Sequence, residues 1–125
     1  MSCKHDLLQN AASSHVSRAP SSRLEDLTRE FHVSRRTLQN AIKMTTGKTF
    51  RELRDELLVE RANSLLESHP ARGIKELAFE LGYKSSRSFA RAIRRACGCS
   101  PSELRSRVMR RLLQAERRIF FRETQ

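Results

Sequence analysis

Three arginines recur at helical spacing in one short stretch of the chain. Arg87, Arg91 and Arg94 stand at positions i, i+4 and i+7, so they share one face of a helix. Phe89 and Ile93, four residues apart, fall on another face, where both can be buried. A helix that buries one side and presents three guanidinium groups on the other is suited to lie in an anionic groove.

The chain contains this pattern twice. Shifting the numbering back by 51, which moves position 85 onto position 34, places segment 85–105 on segment 34–54. The apolar pair and the polar face then repeat as Leu38, Ile42, Arg36, Asn40 and Lys43. Of the eight positions that begin with the glycine after this helix, five are identical or exchange Ser for Thr, among them Arg105 and Arg54. An internal repeat of this kind predicts two similar lobes.

The elements that carry both patterns are predicted to be helices. Ser22 and Glu25 form a capping box at one helix start, and Gly47 stops a later helix. The predicted helices cover about residues 5–16, 22–32, 35–45, 49–68, 74–81, 86–96 and 101 onward. A helix, a short turn and a second helix form a helix-turn-helix unit, and this layout occurs once in each repeat.

We therefore expect an all-α fold with two helix-turn-helix subdomains joined by a long linker helix. The expected division is an N-terminal helix and linker at 1–21, a first helix-turn-helix at 22–48, a linker helix at 49–68, a second helix-turn-helix at 69–98, and a C-terminal helix with a basic extension at 99–125. Lobes of this size bury little surface alone, so we expect them to lean on each other or on the helix between them.

Composition favours a partner with negative charge. The 125-residue chain carries 25 basic and 14 acidic residues, a net charge of +11, and 20 of the basic residues are Arg. A charge of this size predicts binding to a polyanion, although a merely solvated basic surface would give the same composition. The chain has no glycine-rich phosphate loop and no paired-histidine metal motif. We therefore expect no enzyme activity, no cofactor and no metal.

The cysteines and the apolar runs fit a protein of the reducing cytoplasm. Cys3, Cys97 and Cys99 are an odd number without a disulfide pattern. The segment 97–99 is interpreted as a helix end built from small residues, and a metal site or redox sensor is the alternative. The longest apolar runs have three residues, too short for a transmembrane helix, and positions 1–20 lack the apolar core of a signal peptide.

The two units together resemble the DNA-binding domain of AraC/XylS-type bacterial transcription regulators. The similarity is carried by LEDLTREFHVSRRTLQNAIKMTTGKTFRELRDELLVERANSLL in the first unit and ELAFELGYKSSRSFARAIRRACGCSPSELR in the second. It covers about residues 22–107. Three features depart from the family: His32 stands where a turn glycine is common, Arg87 stands where a small or amide residue is common, and the last helix continues beyond Arg105. His32 must therefore tolerate an unusual backbone, or the turn differs.

The resemblance implies sequence-specific binding to double-stranded DNA and regulation of transcription. The major groove admits a helix, and there Arg can make two hydrogen bonds to guanine, while Gln or Asn can make two to adenine. The expected base contacts are Arg36, Gln39, Asn40, Ser86, Arg87 and Arg91. The expected phosphate contacts, which position the protein without reading sequence, are Arg35, Thr37, Lys43, Lys48, Ser88 and Arg94. A solvated polar face is the alternative for each of these residues.

A basic helical interaction protein that binds RNA or a protein partner is the alternative function. It is disfavoured because the chain has only seven aromatic residues, mostly on apolar faces, and single-stranded bases stack on exposed aromatic rings. Besides double-stranded DNA, the expected partners are RNA polymerase, a second copy or a missing sensor domain, and not a membrane. About 20 residues precede the domain. These are too few for a sensor, so activity follows protein abundance, or the chain is the C-terminal part of a longer regulator.

Residues 107–125 are expected to form an amphipathic helix that adds a function to the domain. Its apolar line is Val108, Leu112, Ala115 and Ile119. Arginines are expected to surround this line rather than to form one stripe. Docking on the second lobe is the favoured destination, followed by a second protein, either another copy or RNA polymerase. Membrane-surface binding is disfavoured because the apolar face is thin and Trp is absent.

Overall fold

The computed structural model describes the backbone of residues 2–124 and the side chains of residues 5–118. Within this part of the chain all regular secondary structure is helical, which confirms the predicted all-α fold. The helices are α1 (Ser2–Arg18), α2 (Leu24–Phe31), α3 (Arg35–Thr46), α4 (Phe50–Ser68), α5 (Ile74–Glu80), α6 (Ser86–Cys97) and α7 (Pro101–Thr124). Helices α2 and α3, and again α5 and α6, are joined by the short turns of the two predicted helix-turn-helix units.

The first lobe is built from α1, α2, α3 and the start of α4. Leu27, Leu38 and Ile42 are fully buried in its core, and Ala12 and Val16 of α1 are buried in the same cluster. Full burial of a Leu or Ile side chain stabilises a fold by about 1.5–3 kcal/mol. Helix α1 therefore completes the core of this lobe, a role that was not predicted for it.

The second lobe repeats this arrangement with the second half of the chain. Phe89 and Ile93 of α6, Leu77 of α5 and Val108 of α7 are buried in one cluster. Helix α4 packs on α6 and α7 here, as α1 packs on α3 and α4 in the first lobe. The repeating unit is therefore a helix, a helix-turn-helix and a closing helix, and α4 serves as the closing helix of one unit and the opening helix of the next.

The two roles of α4 are divided along its length. Phe50 and Leu53 are buried in the first core, and Leu57 packs against that core. The next residue, Leu58, is buried in the second core, as is Leu66 near the end of the helix. The change from one core to the other thus occurs between two adjacent residues. Because both lobes need α4, neither has a complete core without it.

A pair of arginines at equivalent repeat positions ties each lobe together. Arg54 Nη1 donates to the carbonyl oxygen of Ser22, just before α2, at 3.4 Å. Arg105 Nη2 donates to the carbonyl oxygen of Arg72, just before α5. Each arginine lies on the closing helix of its unit and each bonds the segment that leads into the helix-turn-helix. The repeat seen in the sequence therefore extends to individual contacts.

Serine and threonine caps begin four of the helices. Their hydroxyl oxygens accept from backbone N–H groups three residues later, at 3.1–3.2 Å; the caps are Ser34, Thr49, Ser85 and Ser100. The prediction that Ser22 caps α2 is wrong. Arg23 is the cap residue, and its N–H donates to Asp26 Oδ2 at 3.0 Å. Ser22 is buried, and its hydroxyl donates instead to the carbonyl of Ala19 at 2.6 Å.

The short turn inside each helix-turn-helix unit contains one residue with positive φ. His32 closes α2 at φ 53° and ψ 44°, so it does tolerate the left-handed backbone that its departure from the family implied. Gly82 has φ 91°. A Cβ on Gly82 would lie 2.5 Å from Ser21 Oγ, in the linker before α2. Glycine is therefore required at this position both by its backbone and by the close approach of the two lobes.

Helix α7 leaves the second lobe part of the way along its length. Val108 is fully buried and Leu112 packs against the second core, whereas the described side chains from Leu113 to Arg118 are all exposed. The side chains of Ile119 and Arg122 lie outside the described residues. A helix turns about 100° per residue, which places the arginines at 107–118 within a sector of roughly 120°. The expectation that they surround the apolar line is therefore wrong for these residues.

Among the described helices, none is long and apolar enough to cross a membrane.

Candidate nucleic-acid interface

Helix α3 presents the first polar face of the predicted interface. Leu38, Ala41 and Ile42 are buried on one side of the helix. The opposite side carries a row of exposed side chains one turn apart, Arg36, Asn40 and Lys43, with Gln39 exposed on the flank. The structure therefore brings the three predicted base contacts of this helix together on one accessible surface.

Helix α6 presents the equivalent face in the second lobe. Phe89, Ala92 and Ile93 are buried, and the Phe89 ring lies 5.5 Å from that of Tyr83 in a tilted stack. The exposed row opposite them is Arg87, Arg91 and Arg94, with Ser86 exposed at the helix start. The three guanidinium groups that the spacing placed on one face do lie on one exposed face.

Five of the six predicted phosphate contacts are exposed or partly exposed and are engaged within the chain. Arg35 forms an ion pair with Glu25 at 3.3 Å, and Lys48 pairs with Glu56 of α4. Lys43 Nζ donates to the carbonyl of Gly47 at 3.1 Å. The hydroxyl groups of Thr37 and Ser88 bond within the caps of their own helices. Among the described residues Arg94 has no ion-pair partner, which leaves it the most available of the six to an external anion.

A cleft between the lobes contains further cations that were not predicted as site residues. It has a volume of about 720 Å³ and lies between the segment before α2 and the first turns of α6. Its basic side chains are Arg91, which is a predicted base contact, and four that were not predicted, Arg23, Arg54, Lys84 and Arg95. Arg23 and Arg54 also line a second depression that reaches Arg35 and Gln39 of α3. The two polar helix faces are therefore connected by one basic surface.

Arg54 has an unusual environment at the base of this cleft. Burial and the nearby Arg95 lower the pKa of its guanidinium group, and Asp55 opposes the effect. Its guanidinium carbon lies 5.7 Å from the centroid of the Phe50 ring. Arg95 is paired with Asp55 at 3.2 Å. Asp55 thus pairs with one of the two guanidinium groups, and that of Arg54 has no ion-pair partner among the described residues.

Two further features lie near the C-terminal ends of α6 and α3. Cys97 Sγ and Cys99 Sγ are 3.2 Å apart at the end of α6, and Cys97 also contacts the carbonyl of Ile93. Within the described residues there is no cluster of three or more side chains able to hold a metal ion.

Met44 is 74% exposed on the outward side of α3, at the repeat position of Arg95. It is an apolar side chain next to the polar row, and sequence reasoning did not single it out.

The sequence of this chain matches a known family over most of its length. A family model described as a helix-turn-helix domain matches residues 27–107. The HTH-type transcriptional activator RhaS of Escherichia fergusonii is 33% identical over 81 residues, which are 65% of this chain and 29% of that protein. The chain spans between 6% and 34% of the length of the curated relatives that it matches.

Solved structures share the arrangement of the helices. The C-terminal domain of AraT, a response regulator from Geobacillus stearothermophilus, has a TM-score of 0.67 and 27% identity, with 79% of this chain and 84% of that chain covered. The DNA-binding domain of AdpA, a global transcriptional factor solved in complex with a target DNA, has a TM-score of 0.66 and 24% identity, with 86% and 94% covered. At that identity the second likeness shows the fold alone.

Proposed function

Because the chain belongs to the AraC-type helix-turn-helix family, we propose that it is a sequence-specific transcription regulator that binds double-stranded DNA with α3 and α6. The observation that carries this proposal is the pair of exposed polar faces at equivalent repeat positions, each backed by a buried apolar face. One such face would fit any anion, whereas two in a fixed relation fit a periodic target. RhaS is named a transcriptional activator, which supports the same interpretation.

The two helices are proposed to enter successive major-groove segments on one side of the duplex. Successive segments lie about 34 Å apart along the axis. Helix α4, which separates the lobes, has 19 residues and is therefore about 28 Å long. A spacing shorter than the groove repeat would bend the DNA toward the protein. A footprint confined to one groove segment contradicts this arrangement.

Base reading is assigned to Arg36, Gln39 and Asn40 of α3 and to Ser86, Arg87 and Arg91 of α6. Phosphate binding is assigned to Arg35, Thr37, Lys43, Lys48, Ser88 and Arg94. The partner beyond DNA is proposed to meet α7, where the described side chains beyond Leu112 are exposed. RNA polymerase, a second copy and a sensor domain are the candidates for that contact, and the cytoplasm is the proposed location.

The test is duplex selection followed by substitutions in the selected site. Arg36→Ala and Arg87→Ala are each expected to cost about 1–3 kcal/mol and to relax specificity at different, separated base pairs. Lys43→Ala is the matched control, because it is expected to weaken all duplexes alike and to lower the salt dependence by roughly one charge. If the arginine variants lose specific and scrambled duplex equally, or if RNA competes as well as duplex, the proposal is wrong.

A further inference from the structure

The cleft between the lobes is lined by more cationic side chains than anionic ones. Five cationic side chains line it, together with a single carboxylate, that of Asp26. Asp26 is engaged by the N–H of Arg23 at 3.0 Å and lies 4.0 Å from Arg29. Asp55 does not line the cleft, and it pairs with Arg95 at 3.2 Å. The cleft therefore has an excess of positive charge facing solvent.

The position of the cleft relates this charge to both polar helix faces. Ser85 and Ser88, at the start of α6, form part of its rim together with Arg91. On the opposite side, Arg23 and Arg54 continue into the depression that reaches Gln39 of α3. A duplex whose major groove receives α3 and then α6 must pass its sugar–phosphate backbone between the two helices. Phosphates of that backbone segment would lie next to the cleft.

We propose that the cleft is a binding site for phosphate groups, with Arg23, Lys84 and Arg95 as its accessible cations and Arg54 as its half-buried base. The proposal rests on the proposed function and adds to it: the phosphates are those between the two base-read segments. None of these four residues was predicted from the helix faces. The chemistry recognised is a phosphate oxyanion, and the two sources to be distinguished are the DNA backbone and free phosphate or pyrophosphate.

Guanidinium and ammonium groups suit this role for different reasons. A guanidinium can bind two oxygens of one phosphate with parallel hydrogen bonds, whereas an ammonium acts as a point charge. Arg54 is held in place by its bond to Ser22 and by the Phe50 ring, so little conformational freedom is lost when a phosphate arrives. An anion in the cleft also offsets the repulsion between Arg54 and Arg95.

The first arm of the test uses the intact chain and the duplex chosen by selection. Arg23→Gln and Lys84→Gln remove exposed charges, and Arg110→Gln on the exposed side of α7 is the charge-matched control. The logarithm of the binding constant falls linearly with the logarithm of the salt concentration. Removing one side chain that binds a phosphate is expected to make this slope less steep by about 0.9. The fall in affinity between 50 and 200 mM salt is then about 3-fold smaller for each such side chain, for specific and scrambled duplex alike.

Neutral methylphosphonate linkages, placed one at a time along the duplex, locate the contact. Those between the two base-read segments are expected to weaken the wild-type chain several-fold and to have a smaller effect on Arg23→Gln, which has already lost one of the cations that bind there. The second arm omits DNA and measures the melting temperature in pyrophosphate, against sulfate at equal ionic strength. A pyrophosphate-specific rise that Arg23→Gln and Lys84→Gln abolish, without any change in the salt slope, assigns the cleft to free phosphate.

The proposal is overturned if both variants match Arg110→Gln in salt slope, the central methylphosphonates are silent, and pyrophosphate gives no specific rise. That result leaves the proposed function intact as long as the wild-type chain still prefers its selected duplex. If the wild-type chain shows no duplex preference, the proposed function fails by itself, and the pyrophosphate arm still decides whether the cleft binds phosphate.

Discussion

Gly82→Ala tests the contact between the two lobes, because its cost has two separable parts. The first part is backbone strain, since Gly82 has φ 91° and an alanine there loses about 1–2 kcal/mol relative to glycine. The second is steric, since the new Cβ would lie 2.5 Å from Ser21 Oγ. Ser21 must then rotate out of its preferred conformation, at about 0.5–1.5 kcal/mol. The expected total is about 1.5–3.5 kcal/mol.

Gly98→Ala supplies the matched control for the backbone part. Gly98 has φ 76°, and a Cβ there would meet nothing within 4 Å, so only strain is expected. Ser21→Ala removes the hydroxyl oxygen, and the next nearest atom, Ser21 Cβ, lies at an ordinary contact distance of 3.6 Å. In the double variant the cost of Gly82→Ala should therefore fall to that of Gly98→Ala.

Urea denaturation of the four variants and the wild-type chain measures these free energies of unfolding, provided that a single transition is seen with each probe. For a chain of this size each kcal/mol corresponds to roughly 3–5 °C in melting temperature, so a thermal scan is an independent check. The reasoning is refuted if Gly82→Ala costs no more than Gly98→Ala, or if Ser21→Ala gives no relief. Either result means that the turn of the second lobe does not touch the linker of the first.

Three further predictions concern stability. His32→Gly should stabilise the fold by about 0.5–1 kcal/mol in urea denaturation, because relief of left-handed strain exceeds the added freedom of the unfolded chain; an unchanged midpoint contradicts this. Val108→Ala should cost about 2 kcal/mol, whereas Leu113→Ala, 54% exposed on the same helix, should change stability by less than about 0.5; equal effects would mean that α7 packs differently. Burial raises the pKa of the Cys99 thiol, so this group contributes stability below its unfolded pKa and loses it as pH rises through the folded pKa. The melting-temperature difference between wild type and Cys99→Ala should shrink above roughly pH 8.5, and a constant difference argues against a buried thiol.

Local signals in the sequence were sufficient for the helices and for their buried faces. Phe89 and Ile93 are buried as their spacing predicts, and Gly47 and Gly98 end their helices. The caps at Ser34, Thr49 and Ser100 were also predictable, because Ser and Thr are preferred at the residue before a helix. Each of the three accepts a hydrogen bond from the backbone N–H three residues later. Ser22 looked the same in sequence, yet burial turned its hydroxyl toward Ala19. A capping pattern in the sequence does not show whether tertiary packing holds the side chain in another hydrogen bond.

The features that escaped prediction depend on contacts between distant parts of the chain. The role of α1 depends on tertiary packing, since α1 and α4 occupy equivalent places only once they pack on α3 and α6. The cleft escaped because Arg23, Arg54, Lys84 and Arg95 come from four separate segments. Only their shared arrangement around one cavity, which depends on how the lobes meet, distinguishes them from the other exposed cations of a chain with a net charge of +11.

The shared helix α4 fixes the rotational phase of the two polar helix faces. Since Leu57 packs with one core and Leu58 with the other, one residue inserted between them would turn the second lobe by about 100° and move it by about 1.5 Å. The face of α6 would then point away from any duplex that α3 had entered. Four inserted residues would come within about 40° of the original phase but add about 6 Å. The length of α4 therefore sets the spacing between the two proposed base-read segments. Substitutions on the exposed faces of α3 and α6 can alter which bases are read without altering that spacing.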